Sequence, residues 1–244
     1  MRYIGWIVIQ LKNKLIKENK GLNSMQELLK YQKNIKEIPY IIGIDLALYR
    51  TGVCVYHPST DTFTDLEEVR VPHETDISML ILCDGLSNYF ERITAEYGSG
   101  GMVVQEAMPA QAGPHSTIST LQALAKAHGI LELCVCLHDG LYRYDKTGVY
   151  SVSVKSIFKT EETPKPTKQD IQARLIELYN CNFEGMSENI SDAMGVVYTL
   201  MNRKWNNDIK EKIKEIKREI KSLKSQHAID VHQKEIERLQ GLML

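Results

Sequence analysis

The sequence has few cysteines, and they do not pair: there are five, an odd number, with no CxxC spacing. Cys134 and Cys136 alternate within an apolar run, which suits packing on one face better than zinc ligation. That usage fits a reducing, cytoplasmic compartment rather than a disulfide scaffold. Membrane-spanning runs are not evident either. The apolar run Ile4 to Leu11 is too short to cross a bilayer and lacks a small-residue cleavage site. Internal repeats and low-complexity tracts are absent. So is the later Gly-rich phosphate loop that an actin-like kinase or ATPase requires. With 244 residues, 43% hydrophobic and 25% charged, the chain reads as one large globular domain with appendages.

Net charge is nearly absent, at -1, but it is unevenly spread. Residues 1–38 carry eight Lys/Arg against three acids, and 203–244 carry eleven against seven. The middle, 39–202, carries eleven against twenty-one. An acidic centre repels a polyanion unless cations neutralise part of it, whereas the basic ends attract one or are simply solvated helices.

Hydropathy predicts a weakly periodic, Lys-rich helix over 12–37, closed by Pro39. Strands are expected near 40–56 (two, with a turn at Tyr49 to Gly52), 63–71, 102–105 and, from its alternation, Val149 to Val154. Helices are expected over 77–97, 116–137, from a capping-box-like start at Thr167 to about Tyr179, and from Ser187 to about Arg203. The expected architecture is an α/β domain with a mixed sheet flanked by helices. In the tail, Ile209, Ile213, Ile216, Ile220 and Leu223 form a coiled-coil-like seam, and Ile229, Ile236, Leu239 and Met243 form a second one out of phase. Such a slip implies either a helical hairpin bending around Ser225 to Ala228 or one discontinuous helix. The tail is expected to be a dimerisation arm; the alternative is an amphipathic helix packed back on its own core. The expected organisation is a basic helical extension at 1–38, a core domain at 39–203 and a charged helical tail at 204–244.

Three acids stand out. Asp45 ends the apolar run from Ile41, Glu106 ends the run from Met102, and Asp192 lies in Asn189-Ile-Ser-Asp192-Ala-Met. A lone buried carboxylate is costly to desolvate, whereas several together hold a divalent cation or shift one another's pKa. On a mixed sheet Asp45 and Glu106 can lie side by side, with a helix carrying Asp192 packed across them. Asn189 and Glu188 precede Asp192 by three and four residues and share its helix face.

These residues resemble the RuvC family of Holliday-junction resolvases in the RNase H-like superfamily, most of all its divergent phage-type members. The likeness is carried by Gly43-Ile-Asp45 with Thr51-Gly52-Val53, Val103-Val-Gln-Glu106, the apolar helix 118–137, Val152-Ser-Val-Lys155, Lys168-Gln169 and Ser191-Asp192-Ala193, in order over about residues 40–203. The resemblance implies an endonuclease that cuts a four-way DNA junction by paired nicks. It also implies dependence on magnesium or manganese, two ions per site, and a homodimer in the bacterial or phage-infected cytoplasm, associated with the nucleoid. Asp45, Glu106 and Asp192 match the family's metal-binding acids, and Lys155 and Lys168 its basic residues near the cleaved phosphate. The family's usual fourth acid is replaced here by Asn189, so either Asn189 or Glu188 completes the site. His115 is a candidate phosphate contact, and Tyr49 stacks on DNA or fills a turn. The alternatives are an RNase H-like nuclease acting on an RNA–DNA hybrid or precursor RNA, and a non-catalytic scaffold.

Overall fold

The computed structural model describes residues 37–72, 77–108, 117–143, 148–181, 187–222 and 226–240. Residues 12–36 of the helix expected at 12–37 and the candidate His115 lie outside them. The elements are β1 (Ile41–Asp45), β2 (Arg50–His57), β3 (Thr62–Arg70), α1 (Ser78–Tyr97), β4 (Gly101–Gln105), α2 (Ile118–Leu137), β5 (Leu141–Arg143), α3 (Ser151–Ile157), α4 (Lys168–Tyr179), α5 (Glu188–Ser222) and α6 (Gln226–Gln240). The chain divides into two compact units, residues 1–197 and 198–244.

In the first unit five strands form one mixed sheet in the order β3-β2-β1-β4-β5. The β3–β2–β1 hairpins are antiparallel, and β4 and β5 join parallel to β1. This is the mixed α/β sheet that the sequence predicts. The continuous apolar runs of β1 and β4 occupy its middle, where a strand is covered on both faces.

The strand pleat sorts side chains between two layers. Tyr40, Ile42, Ile44, Val53, Val55 and Val103 join Leu82, Leu86 and Phe90 of α1 and Leu131 of α2 in one buried cluster. Residues of the opposite parity, including Gly43 and Gly52, face α5. There a Cβ on Gly43 would lie 2.4 Å from Val197 Cγ2, and one on Gly52 would lie 2.0 Å from the Asn189 carbonyl oxygen. The two glycines therefore leave the groove in which the first turns of α5 lie.

Several local expectations are corrected. The alternation at Val149 to Val154 does not make a strand: Val149 forms one isolated bridge with Glu106, and α3 begins at Ser151. In this helix Val152 and Val154, two residues apart, fall on different sides, so Val154 is buried while Val152 is exposed. The short β5 carries too few residues for a period to show. α5 does not stop near Arg203 but runs to Ser222. α2 is long and apolar enough to cross a membrane by length and composition, with mean hydropathy 1.3. Its Ala127, Leu131, Cys134 and Val135 are nonetheless buried in the fold.

In the second unit α5 runs to Ser222 and α6 begins at Gln226. Ile213 and Ile216 of α5 pack with Ile236 and Leu239 of α6, with Ile220 beside them. These seam residues thus find their apolar partners within the chain.

Candidate active site

Asp45 is the last residue of β1, and Glu106 directly follows β4, its parallel neighbour. The Glu106 amide donates to the Ile44 carbonyl at 3.0 Å, which fixes the second acid beside the end of β1. The Thr51-Gly52 pair explains itself here. The buried Thr51 hydroxyl donates to the Ala47 carbonyl at 2.6 Å and accepts from the Ala47 amide at 3.2 Å, closing the turn that follows Asp45. Gly52 pairs with Asp45 across the ladder and admits α5 over it.

The two carboxyl groups hydrogen-bond one another. Burial, then the charges of Glu106 and Asp192, push Asp45 well above the usual carboxylate range. Glu106 is raised as well, first by burial and further by Asp192, against hydrogen bonds from Asp45 and Ser151 that favour its charged form. Ser151 belongs to α3, so the segment expected as a strand instead supplies a helix start that touches the second acid.

Asp192 lies in the second turn of α5 and is bound by Lys168, with Nζ to Oδ2 at 2.5 Å. Lys168 opens α4, where Thr167 and Asp170 form a reciprocal capping box. That box fixes the helix start and with it the root of the lysine side chain. Burial alone would lower the Lys168 pKa, but the Asp192 hydrogen bond and charge, with Asp45 and Glu188, raise it. Glu188 is exposed and stands 3.9 Å from the same ammonium. Lys155 is an exposed residue of α3, one turn beyond Ser151. Tyr49 packs half-buried at the margin of the main core.

Asn189 is engaged elsewhere: its Nδ2 donates to Glu68 Oε1 at 2.9 Å. Glu68 escapes a sequence reading because it sits among the acids of an apparently solvent-facing strand, yet its side chain is only 5% exposed. It pairs with Gly52 across the β2–β3 ladder, as Gly52 pairs with Asp45, so all three share one sheet face. Burial alone would raise the Glu68 pKa, but hydrogen bonds, including those from Arg70 and Asn189, hold it below the usual range. Ser187 lies near this carboxylate, although its buried hydroxyl forms no hydrogen bond of good geometry.

Among the described residues no three His, Cys, Asp or Glu side chains stand in a ready-made metal cage. The acids are instead arranged as two plus one: the Asp45–Glu106 pair, and Asp192 held on Lys168. Three neighbouring carboxylates, with the charge of Asp192 acting on both Asp45 and Glu106, offer oxygen donors only, which is the chemistry of a hard divalent cation. Burial is the larger cause of the raised Asp45 and Glu106 pKa values, and the part owed to neighbouring negative charge is what a cation would relieve.

No protein-family model and no curated protein matches the chain. Among solved structures it is similar to Thermus thermophilus RuvC in complex with a Holliday junction substrate, at 12% identity and a TM-score of 0.48, covering 66% of this chain and 91% of that one. It is also similar to a second Thermus thermophilus RuvC structure, at 12% identity and a TM-score of 0.46, covering 66% of this chain and 92% of the other.

Proposed function

We propose that this protein is a divalent-metal-dependent endonuclease that cuts branched DNA, with the four-way junction as substrate and paired nicks as products. The observation that carries the reading is the pairing of Asp45 and Glu106 at the ends of adjoining parallel strands, with the charge of Asp192 felt by both. The ordered sequence resemblance to RuvC-type resolvases supports the same chemistry. In this reading Asp45, Glu106 and Asp192 hold magnesium or manganese, and Ser151 steadies Glu106. A bound pair of ions supplies an activated water and stabilises the leaving oxygen. Lys168 leaves Asp192 and offers its ammonium to the phosphate as a point cation. Lys155 is a second such cation, and the basic termini add nonspecific attraction for DNA. Paired nicking requires two sites, hence a homodimer. The charged tail, expected as a dimerisation arm, is part of this proposal; its described seam residues Ile213, Ile216, Ile236 and Leu239 pack together within the chain. Recombination or repair of DNA in the cytoplasm is the corresponding role.

The test is cleavage of a labelled immobile four-way junction beside linear duplex, a fork and an RNA–DNA hybrid, with magnesium or manganese. Paired symmetric nicks that disappear in Asp192→Asn support the reading. Preferential cutting of the hybrid replaces it with the RNase H-like alternative. Absence of any metal-dependent cutting leaves the scaffold.

A further inference from the structure

The position at which this chain departs from the resolvase pattern is held through both its backbone and its side chain. Asn189 is three residues before Asp192 on the same helix face. Its backbone carbonyl lies directly over Gly52, where even a methyl group would not fit. Its side-chain nitrogen donates to Glu68, and the described residues give the side chain no other hydrogen bond.

The acceptor is what fixes the orientation. An amide can usually be turned end for end, because its oxygen and nitrogen are alike in shape. An ionised carboxylate has acceptors only, so it takes the NH2 end and rejects the oxygen. Glu68, whose side chain is only 5% exposed, also accepts from Arg70 Nε. The fold therefore places an acceptor that also pairs with Arg70 where it determines which end of Asn189 points away from β3.

We propose that Glu68 is a positioning residue: by binding the Asn189 amide nitrogen, it turns the amide oxygen toward the cation held by Asp45, Glu106 and Asp192. The inference rests on the metal-dependent reading above. It also accounts for the residue type at 189. A carboxylate there would meet Glu68 as a like charge, whereas an amide supplies one donor to Glu68 and one neutral oxygen to the cation. The site thus keeps a fourth oxygen ligand without adding negative charge to acids whose pKa values are already raised.

The experiment measures Mn2+ binding to the full chain by titration calorimetry, with no DNA present, so that activity is not the readout. Glu68→Ala is expected to weaken Mn2+ binding about tenfold or more, within the range seen when a ligand's supporting hydrogen bond is removed. Glu68→Gln, whose oxygen still accepts from the amide, is expected to stay within about threefold of the parent, on the same supporting-bond scale. Asn189→Ala is expected to match Glu68→Ala, and the double variant to be no weaker than Asn189→Ala alone, since both remove one shared interaction. Glu68→Met, similar in length and unable to accept, takes the place of Glu68→Ala should that variant not fold. A Glu68→Ala protein within about twofold of the parent, or losses that add in the double variant, overturns the proposal. Asp45→Asn separates the two failures. If it abolishes Mn2+ binding while Glu68→Ala does not weaken it, Glu68 has no positioning role but the metal site stands. If the parent binds no Mn2+, or binds it equally without Asp45, the nuclease reading and this inference fall together.

Discussion

Lys168 Nζ lies 2.5 Å from Asp192 Oδ2, so the third acid of the site is paired with a lysine that itself feels the charge of Asp45. The ammonium occupies the electrostatic place of a cation next to the acids. A metal ion arriving at Asp192 must compete with it, and a phosphate arriving with that metal gives the lysine a new partner. Lys168→Ala is therefore expected to bind Mn2+ a few-fold more tightly at low salt, because a nearby positive charge is removed. The same variant is expected to cut DNA about ten- to a hundredfold more slowly, because a preorganised cation at a transferring phosphate is lost. Calorimetry and single-turnover cleavage, run on the same protein, read the two effects with opposite signs.

The acids should also leave a signature in stability without any metal. Asp45 and Glu106 have folded-state pKa values raised above their ordinary ones, chiefly by burial and then, for Asp45, by each other's charge. The folded state thus binds their protons more tightly than the unfolded state does. Stability falls as pH rises through the window that starts near the ordinary carboxylate value and ends at the raised one. Metal-free protein is expected to melt higher near pH 5 than near pH 8 on account of these groups, and Asp45→Asn is expected to flatten that difference. At pH 8 the variant should melt higher than the parent by about 2–4 °C per kcal/mol of repulsion relieved. Differential scanning fluorimetry over pH in the presence of a chelator tests this; a parent more stable at pH 8, with Asp45→Asn destabilising it there, would contradict it.

Part of this site is legible in the sequence. β1 and β4 announce themselves as apolar runs each ending in an acid, because a central strand buried on both faces leaves no other reason for a charge at its end. The start of α4 was legible in Thr167 and Asp170, since a capping box is local chemistry. Glu68 was not legible. Its burial depends on α5 crossing β2 at Gly52, a contact between residues far apart in sequence, and its strand also carries Asp65 and Glu67. The Val149 to Val154 segment misled for a related reason. Its alternation reflects a short helix turning one side to α5, where Val154 Cγ1 comes within 3.0 Å of a Cβ built on Gly195.

Asp65 is an acid with a structural task, and it predicts the reverse pH behaviour. It sits in β3 with φ at 48°, in the left-handed region. Its carboxylate accepts from Arg92 and Tyr97, each at 2.7 Å, and from Thr64 at 2.9 Å, while Tyr89 donates to its carbonyl. Burial opposes ionisation, but the bonds from Tyr97, Arg92 and Thr64 outweigh it and lower its pKa. The folded state therefore holds this proton less tightly than the unfolded state. The stabilisation is full above the ordinary value of 3.8 and is lost as pH falls through the lowered one. Asp65→Ala is expected to cost about 2–4 kcal/mol at pH 7, the scale of losing charged hydrogen bonds together with a φ that alanine resists. Urea unfolding at pH 7 and pH 3 should show the gap between parent and variant narrowing in acid.

Gly52 offers a direct test of how α5 positions Asp192. A Cβ there would lie 2.0 Å from the Asn189 carbonyl oxygen and 2.2 Å from its carbon, both backbone atoms that cannot rotate away. Gly52→Ala must lift the first turn of α5 off the sheet, and Asp192 is carried on the next turn. The stability cost is expected to be about 1–3 kcal/mol, as for other overpacked cores. Cleavage is expected to fall by about a hundredfold or more, because a shift near 1 Å suffices to misplace a reacting group. Gly129→Ala is the matched control. It lies within α2 with nothing within 4 Å of a new Cβ, so it is expected to raise stability by about 0.5–1 kcal/mol and leave cleavage unchanged. If Gly52→Ala lost no more activity than its lower melting temperature explains, α5 would not be setting the position of Asp192 through this contact.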